Sequence, residues 1–275
     1  MPKEKKENLE FLGCNLMKYD FLKIEKQENN IYELTFNNPN SRNALNDKML
    51  SEIIDCLETL KRQPCRLLFI TGEGKAFSAG ADLEWMKKSI NLNFQDNVND
   101  ALNFSKMLKL IDTFPSPTIS VINGHAFGGG LGIICTCDFS IANVEAKFSF
   151  SEVRLGLIPA MIGPYVLRNI GFLNSRKLFL TGEVFNAEKA LKINLIDIAI
   201  NKENIQKEKE KLIENLLKGG PRAQCEIKKF LLNIYSKNID DTLISRSAKK
   251  ISEIRVSKEG QEGIKSFLEQ SKPKW

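Results

Sequence analysis

The sequence predicts an α/β domain followed by a region made almost entirely of helices. Two observations lead to this fold class. Short apolar stretches with strand character alternate with amphipathic helical stretches in the first part of the chain, and beyond Gly163 the apolar positions recur at helical spacing. A repeated strand-then-helix order is typical of α/β domains, whose functional loops lie at one edge of the sheet. With 275 residues, 42% of them hydrophobic, the chain can bury such a core.

The first predicted elements are a pair of strands and a helix. Apolar and polar residues alternate through residues 21–36, ahead of a turn at Pro39 and Asn40. Residues 43–62 then carry apolar side chains every three or four positions. This spacing predicts an amphipathic helix whose apolar face covers a sheet.

Two further strands and a series of helices complete the pattern. Residues 67–71 and 118–122 read as strands, and each is followed by a glycine-containing turn and a helix-like segment. The later helical stretches are 165–170, 205–217, 225–234 and 251–267. We therefore expect a lead at 1–20 that can be disordered, a core at 21–218 and a helical C-terminal region at 219–275, which begins at a Gly-Gly-Pro stop.

Composition excludes several classes of protein. No run approaches the roughly 18 apolar residues of a membrane span, and the first ten residues alternate Lys and Glu instead of leading into an apolar segment. Six cysteines show neither metal-site spacing nor the density of a disulfide scaffold. The net charge of +6, from 40 basic and 34 acidic residues, suits an anionic ligand but forms no basic stripe. We expect a cytoplasmic protein that binds neither membrane nor nucleic acid.

Two glycine-rich turns are the first candidates for chemistry. Residues 77–83 follow the strand at 67–71, and the three glycines at 128–130 follow the strand at 118–122. If each turn leads into a helix, it presents unpaired backbone N–H groups toward an anion. Either turn alone is more often simple tight packing. Together they can form an oxyanion hole, because glycine allows the backbone to approach a ligand closely.

Five short blocks stand in a specific order and spacing along nearly the whole chain. They are Asn-Asn-Pro at 37–39, Asn-Ala-Leu at 43–45, Lys-Ala-Phe-Ser-Ala-Gly-Ala-Asp at 75–82, Asn-Gly-His-Ala-Phe-Gly-Gly-Gly at 123–130, and Glu-Gly-Ile-Lys-Ser-Phe-Leu-Glu at 262–269 before a final Pro-Lys-Trp. By these blocks the sequence resembles the enoyl-CoA hydratase/isomerase (crotonase) family. The resemblance implies a spiral of ββα units with a helical C-terminal region, and an enzyme that stabilises acyl-CoA enolates.

The resemblance also implies a role for individual residues. It places the two oxyanion donors on the backbone N–H groups of Ala81 and Gly129, and the catalytic carboxylate on Glu152. Further contacts to substrate and CoA are expected at Arg42, Ala44, Ala79, Gly80, Asp82, Leu83, Gly128, Gly132 and Pro159.

One position departs from the family pattern. Hydratases of the family commonly use two glutamates, and the first of the two positions is Gly132 here, whereas the second is Glu152. A single carboxylate can take a proton from water and return it to the α-carbon. We therefore expect hydration of an enoyl-CoA, with double-bond isomerisation by Glu152 alone as the alternative.

Gly132 carries a second implication. Because glycine inside a helix costs roughly 1 kcal/mol relative to alanine, something is expected to need the space, and a branched acyl chain is one candidate. Residues 151–166 are similar to bacterial methylglutaconyl-CoA hydratases. Such a substrate has a distal carboxylate, so the pocket is expected to contain a cation, supplied by Arg154 or by the terminal helices.

Three other polar residues are interpreted as structural. His125, the only histidine, lies between a strand and the glycine turn, where a loop or packing role is expected. Asp82 and Asp138 each follow a turn, where a carboxylate can accept hydrogen bonds from backbone N–H groups.

The resemblance finally implies partners. The C-terminal region is expected to pack on a neighbouring subunit in a homo-trimer or homo-hexamer. No metal, flavin or nicotinamide is expected, and coenzyme A enters only as part of the substrate. The positive charge and the missing glutamate leave one alternative from another class, a non-catalytic protein that binds acyl-CoA or RNA.

Overall fold

Strands and helices alternate along the chain in the computed structural model, which describes residues 18–275. The strands are β1 (Leu22–Gln27), β2 (Ile31–Phe36), β3 (Leu67–Gly72), β4 (Ala76–Ser78), β5 (Thr118–Ile122), β6 (His125–Phe127), β7 (Phe139–Asn143), β8 (Lys147–Ser149), β9 (Phe185–Asn186) and β10 (Ile198–Ile200). The helices are α1 (Asp47–Leu60), α2 (Leu83–Ser89), α3 (Phe94–Asp112), α4 (Gly129–Thr136), α5 (Gly163–Thr181), α6 (Ala187–Lys192), α7 (Ile205–Leu217), α8 (Pro221–Ile234), α9 (Asp241–Arg255) and α10 (Lys258–Leu268). Residues 1–17 of the predicted lead lie outside the described residues.

Two sheets are built by the same repeated unit. The larger sheet has the order β1-β2-β3-β5-β7-β10, and the smaller has the order β4-β6-β8-β9. Strands β3, β5 and β7 each continue into a short strand of the smaller sheet and then into a helix. Within each sheet these strands are parallel. This arrangement is the predicted series of ββα units, and it places the loops after β4, β6 and β8 side by side.

The larger sheet is covered on both faces. Successive side chains of a strand point to opposite faces, so Leu68 and Ile70 of β3 join the main apolar core, whereas Leu67 and Phe69 join a smaller cluster with Ile205 of α7. All four β3 side chains are almost completely buried. A parallel strand buried on both faces reads as the continuous apolar run seen here.

The first helix begins later than the periodicity predicts. Helix α1 starts at Asp47, because Asn46 caps it by accepting a 2.9 Å hydrogen bond from the N–H of Met49. Asn43 lies in a turn instead, and Leu45 forms an isolated parallel bridge with Ala81. The apolar Leu45 therefore belongs to the site loop and not to the helix.

The C-terminal region also differs from the prediction in two places. The stretch predicted at 251–267 is two helices, since Ser257 caps α10 and its hydroxyl accepts the N–H of Gly260. Two short strands, β9 and β10, follow Gly163, and β10 pairs in parallel with β7 to complete the larger sheet. These strands of two and three residues are too short for a periodic signal.

Side chains attach the start of α8 to the core. Lys228 forms an ion pair with Asp138 and donates a 3.1 Å hydrogen bond to the carbonyl of Ser116. Arg66 donates to the carbonyl of Gly219, the first residue of the predicted Gly-Gly-Pro stop, at 2.8 Å. Within the described part of the chain, no helix is both long and apolar enough to cross a lipid bilayer.

Candidate active site

The first glycine-rich turn is held by a buried asparagine. The side-chain amide of Asn43 donates to the carbonyls of Ala76 and Glu73 at 2.8 and 2.9 Å. The carbonyl of Asn43 accepts the hydroxyl of Ser78 at 2.8 Å, and that hydroxyl accepts the N–H of Gly80 at 3.2 Å. Asn43 has no exposed surface and adopts the left-handed conformation, with φ of 54°. Asparagine tolerates this conformation better than most residues do.

The N–H of Ala81 is left unpaired by its neighbours. Leu45 donates to the carbonyl of Gly80 at 2.7 Å, and its own carbonyl accepts the N–H of Asp82 at 2.9 Å. Because successive peptide groups of an extended chain point in opposite directions, the N–H of Ala81 points away from Leu45. Among residues 18–275 it donates to no acceptor. It is therefore free to bind a ligand.

The second glycine turn supplies another unpaired donor. Gly128 has φ of 48° and precedes α4, and its own N–H donates to the carbonyl of Ser149 at 2.9 Å. Gly129 is the first residue of α4, where an N–H has no partner within the helix. In the described chain the N–H of Gly129 has no other backbone acceptor either. The positive end of the helix dipole favours an anion at this position.

The two turns are in direct contact. A Cβ added to Gly80 would lie 2.9 Å from the carbonyl oxygen of Phe127 and 3.7 Å from the Cα of Gly128. Gly80 also has φ of 85°, which side chains rarely allow. Glycine is thus required at this position, and its small size brings the two N–H donors to one place.

Glu152 lies against the second turn. It belongs to a short 3-10 helix, Ser151–Leu155, and its Oε1 would lie 3.2 Å from a Cβ on Gly128. The other carboxylate oxygen, Oε2, is buried and has no hydrogen-bond partner among the described residues. Burial raises the pKa of the Glu152 carboxyl above its ordinary value, and a hydrogen bond to its own backbone offsets part of that rise. A raised pKa and a free oxygen are typical of a group that transfers protons.

The two turns and Glu152 open onto one cavity of about 280 Å³. It is lined by Ala79, Gly80, Ala81, Leu83, Trp85, Met86, Phe104, Gly128, Gly129, Ser151, Glu152, Leu155, Leu157, Ile158, Pro159, Ala160, Met161 and Ile162. Among residues 18–275, Glu152 is the one ionisable side chain of this lining. The cavity therefore combines two unpaired backbone N–H groups and one buried carboxyl group with a largely apolar wall.

Four residues expected at the site do not line this cavity. Arg42 is exposed, and its carbonyl accepts the N–H of Ala79 at 2.9 Å, so it supports the turn from outside. Ala44 is buried beside the turn. Asp82 caps α2 by accepting the N–H groups of Glu84 and Trp85, the structural role expected for it. The fourth residue is Gly132.

The space beside Gly132 is filled by another side chain. A Cβ at this position would lie 2.3 Å from Cγ2 of Ile162 and 3.4 Å from Cδ2 of Leu108. The expectation that a branched acyl chain uses this space is therefore wrong for this structure. The side chain of Ile162 occupies the space beside Gly132, and Ile162 also lines the cavity.

The other polar residues have structural partners. Nδ1 of His125 accepts the N–H of Lys147 at 3.2 Å, and its ring stacks on Phe127 with centroids 6.2 Å apart. Asp138 accepts the N–H of Thr118 at 2.8 Å. Arg154, the cation expected near the acyl chain, is exposed and packs against Gly182 outside the cavity.

Several wall residues were not predicted from sequence. Phe104 of α3 packs on the second turn, 2.8 Å from where a Cβ on Gly129 would lie. Trp85 is held by a 3.1 Å hydrogen bond from its indole N–H to Asp100. Helical apolar spacing is the only sequence signal of Phe104, and core residues give the same signal.

Comparison with known proteins agrees with this geometry. The family model described as enoyl-CoA hydratase/isomerase matches residues 26–275. A crotonyl-CoA hydratase from Syntrophomonas wolfei is 33% identical over 259 residues, which cover 93% of this chain and 98% of the relative.

Solved structures give the same result. An enoyl-CoA hydratase from Shewanella pealeana has a TM-score of 0.90 and 38% identity, with 93% of this chain and 96% of that chain covered. An enoyl-CoA hydratase/isomerase from Marinobacter aquaeolei has a TM-score of 0.87 and 27% identity, with 93% and 98% covered. The fold defines an enzyme of the ββα spiral class. The chain belongs to the enoyl-CoA hydratase/isomerase (crotonase) family.

Proposed function

We propose that the protein hydrates an α,β-unsaturated acyl-CoA thioester, with Glu152 as acid and base. The observation that carries this proposal is the position of Glu152 beside Gly128, in one cavity with the unpaired N–H groups of Ala81 and Gly129. The name of the crotonyl-CoA hydratase relative supports the same reaction.

The mechanism follows from these three groups. The thioester oxygen accepts hydrogen bonds from the N–H groups of Ala81 and Gly129, which stabilise the negative charge of the enolate. Preorganised donors of this kind are worth about 3–4 kcal/mol each in related acyl chemistry. Glu152 takes a proton from water as the water adds to the β-carbon, and then returns a proton to the α-carbon. The water oxygen bonds to the β-carbon, the π electrons of the double bond pass to the thioester as the enolate, and the α-carbon then takes up a proton. There is no net oxidation or reduction, so the proposal needs no flavin or nicotinamide, and the two N–H groups hold the negative charge without a metal.

Double-bond isomerisation is the second candidate, and one observation favours it. Ile162 fills the space at Gly132, so the apolar wall offers no second carboxylate to hold the water. A single base can instead remove a proton from one carbon of the acyl chain and return it to another, while the same two donors hold the enolate. The two reactions differ in whether the product gains the mass of water.

The acyl chain is proposed to be apolar. No Lys or Arg lines the cavity in the part of the chain that the structure describes. A distal carboxylate, as in methylglutaconyl-CoA, would be buried here without a partner, and an unpaired buried charge is costly. The CoA nucleotide is proposed to lie outside the cavity near Arg42, which is exposed beside the first turn.

The first prediction concerns the reaction itself. Wild type is expected to remove the conjugated-enoyl absorbance of crotonyl-CoA and to give a product heavier by one water. Glu152→Gln is expected to lower kcat roughly 10²–10⁴-fold, the usual contribution of a general acid or base. The measurement is absorbance with mass detection, using crotonyl-CoA, 3-methylglutaconyl-CoA and a 3-enoyl-CoA.

A matched control separates the site from a general effect of charge. Glu145→Gln removes an exposed carboxylate outside the cavity and is expected to keep the wild-type rate. A gain of absorbance from the 3-enoyl-CoA at unchanged mass would show that the reaction is isomerisation and not hydration. Absence of turnover on all thioesters, with RNA retained in saturating CoA, would support the non-catalytic alternative.

The second prediction concerns pH. Glu152 must be ionised to accept a proton, and burial raises its pKa, so kcat/KM is expected to fall on acidification through a pKa above the ordinary glutamate value of about 4.3. Crotonyl-pantetheine, which lacks the nucleotide phosphates, is expected to give the same acid limb as crotonyl-CoA. A limb at or below the ordinary glutamate value, in a pH range where thermal melts show folded protein, would contradict this role.

The third prediction concerns assembly. We propose a homo-trimer or homo-hexamer formed through the C-terminal helices, since these carry apolar side chains with large exposed fractions, such as Phe267 at 82% and Leu268 at 74%. Sedimentation at micromolar concentration is expected to give three or six times the mass of one chain. A monomer under these conditions would refute the proposed oligomer but would leave the proposed reaction unaffected.

A further inference from the structure

The contact between Ile162 and Gly132 has a consequence for substrate choice. We infer that Ile162 is a specificity-determining residue that limits the acyl chain to a short, unbranched one, and that Gly132 is glycine because Ile162 occupies the place of its side chain. This inference rests on the proposed function, since it concerns the acyl end of the same cavity.

The position of Ile162 relative to the thioester supports the inference. Gly129, which carries one oxyanion donor, begins α4, and Gly132 is three residues further along the same helix. At 1.5 Å per residue, Gly132 lies about 4.5 Å along the helix from the donor. Ile162 covers Gly132 and also lines the cavity. It therefore forms the part of the wall that lies about one helical turn along α4 from the second N–H donor.

Ile162 is held rigidly in this position. It is 2% exposed and directly precedes α5, where its carbonyl accepts the N–H groups of Tyr165 and Val166, both at 3.0 Å. Leu108, which has no exposed surface, packs beside the same niche. A β-branched side chain has few rotamers open to it. A longer chain therefore cannot push Ile162 aside without moving the core.

The composition of the wall defines the ligand class. Beyond Glu152 and the adjacent Ser151, the described side chains of the lining are apolar or aromatic, including Phe104, Met161 and Ile162, so the acyl end binds hydrocarbon. Wild type is expected to bind butyryl-CoA more tightly than octanoyl-CoA, although the longer chain is the more hydrophobic.

Two substitutions test the wall. Ile162→Ala removes Cγ2, the atom that fills the niche, whereas Ile162→Val keeps Cγ2 and is the matched control. The probes are the saturated thioesters butyryl-, hexanoyl- and octanoyl-CoA, which cannot be hydrated. Binding is read from the fluorescence of Trp85, which lines the cavity, in a Trp275→Phe background that leaves Trp85 as the sole tryptophan.

The expected result is a change in the ratio of affinities. Ile162→Ala should raise the octanoyl-to-butyryl ratio roughly tenfold, the usual effect of added room for methylene groups. Ile162→Val should leave it near the wild-type ratio. An unchanged ratio in Ile162→Ala, or an equal shift in Ile162→Val, would overturn the inference. If Ile162→Ala does not fold, the wild-type affinities test the inference. Wild type that binds octanoyl-CoA as tightly as butyryl-CoA would overturn the inference.

Thermal melts test the geometry without any ligand. Gly132→Ala should lower Tm in wild type, because its Cβ would lie 2.3 Å from Cγ2 of Ile162. In the Ile162→Ala background the same change should lower Tm much less, since Cγ2 is gone and only the Cβ of residue 162, at 3.0 Å, stays close. Additive shifts would contradict the contact.

These outcomes separate the inference from the proposed reaction. Saturated thioesters bound with the expected cutoff, but no turnover of any enoyl-CoA, would support the wall and refute hydration. Turnover of crotonyl-CoA with an unchanged chain-length profile in Ile162→Ala would support hydration and refute the role of Ile162 as a wall. Binding of no thioester by any variant, wild type included, would overturn both.

Discussion

The site depends on the close approach of two backbone turns. Gly80 lies so near Phe127 and Gly128 that the Cβ of a side chain there would clash with the carbonyl oxygen of Phe127. This approach brings together two N–H groups that the fold leaves unpaired for different reasons. The bridge to Leu45 uses the carbonyl of Gly80 and the N–H of Asp82, so the N–H of Ala81 points away from Leu45, and Gly129 is the first residue of a helix. Both donors are fixed before any ligand arrives, which is what makes such groups effective toward developing charge.

The repeated ββα unit explains why the parts of the site meet. Three successive units place β4, β6 and β8 next to one another in the smaller sheet. The segments that follow them carry, in turn, the first donor, the second donor and the carboxylate. Parallel pairing between the strands sets their relative height. The chemistry is thus distributed over three units, and no single unit holds a complete site.

The two glycine-rich turns could be found from sequence because residue type, spacing and a preceding strand form a local signal. The choice of Ala81, Gly129 and Glu152 within and beyond these turns comes from the resemblance to the family, and their chemical roles stay a prediction. The partner of Gly132 could not be predicted, because Ile162 is distant in sequence and ordinary in type. The same holds for Asn43, whose periodic surroundings predicted a helix, although its side chain holds the first turn.

A structure of the Glu152→Gln variant with bound crotonyl-CoA tests the central claim most directly. The account predicts the thioester oxygen within about 2.7–3.1 Å of the N–H nitrogens of both Ala81 and Gly129. It also predicts the acyl end directed toward Ile162. A thioester oxygen bound elsewhere, or by a side chain instead of these two N–H groups, would contradict it.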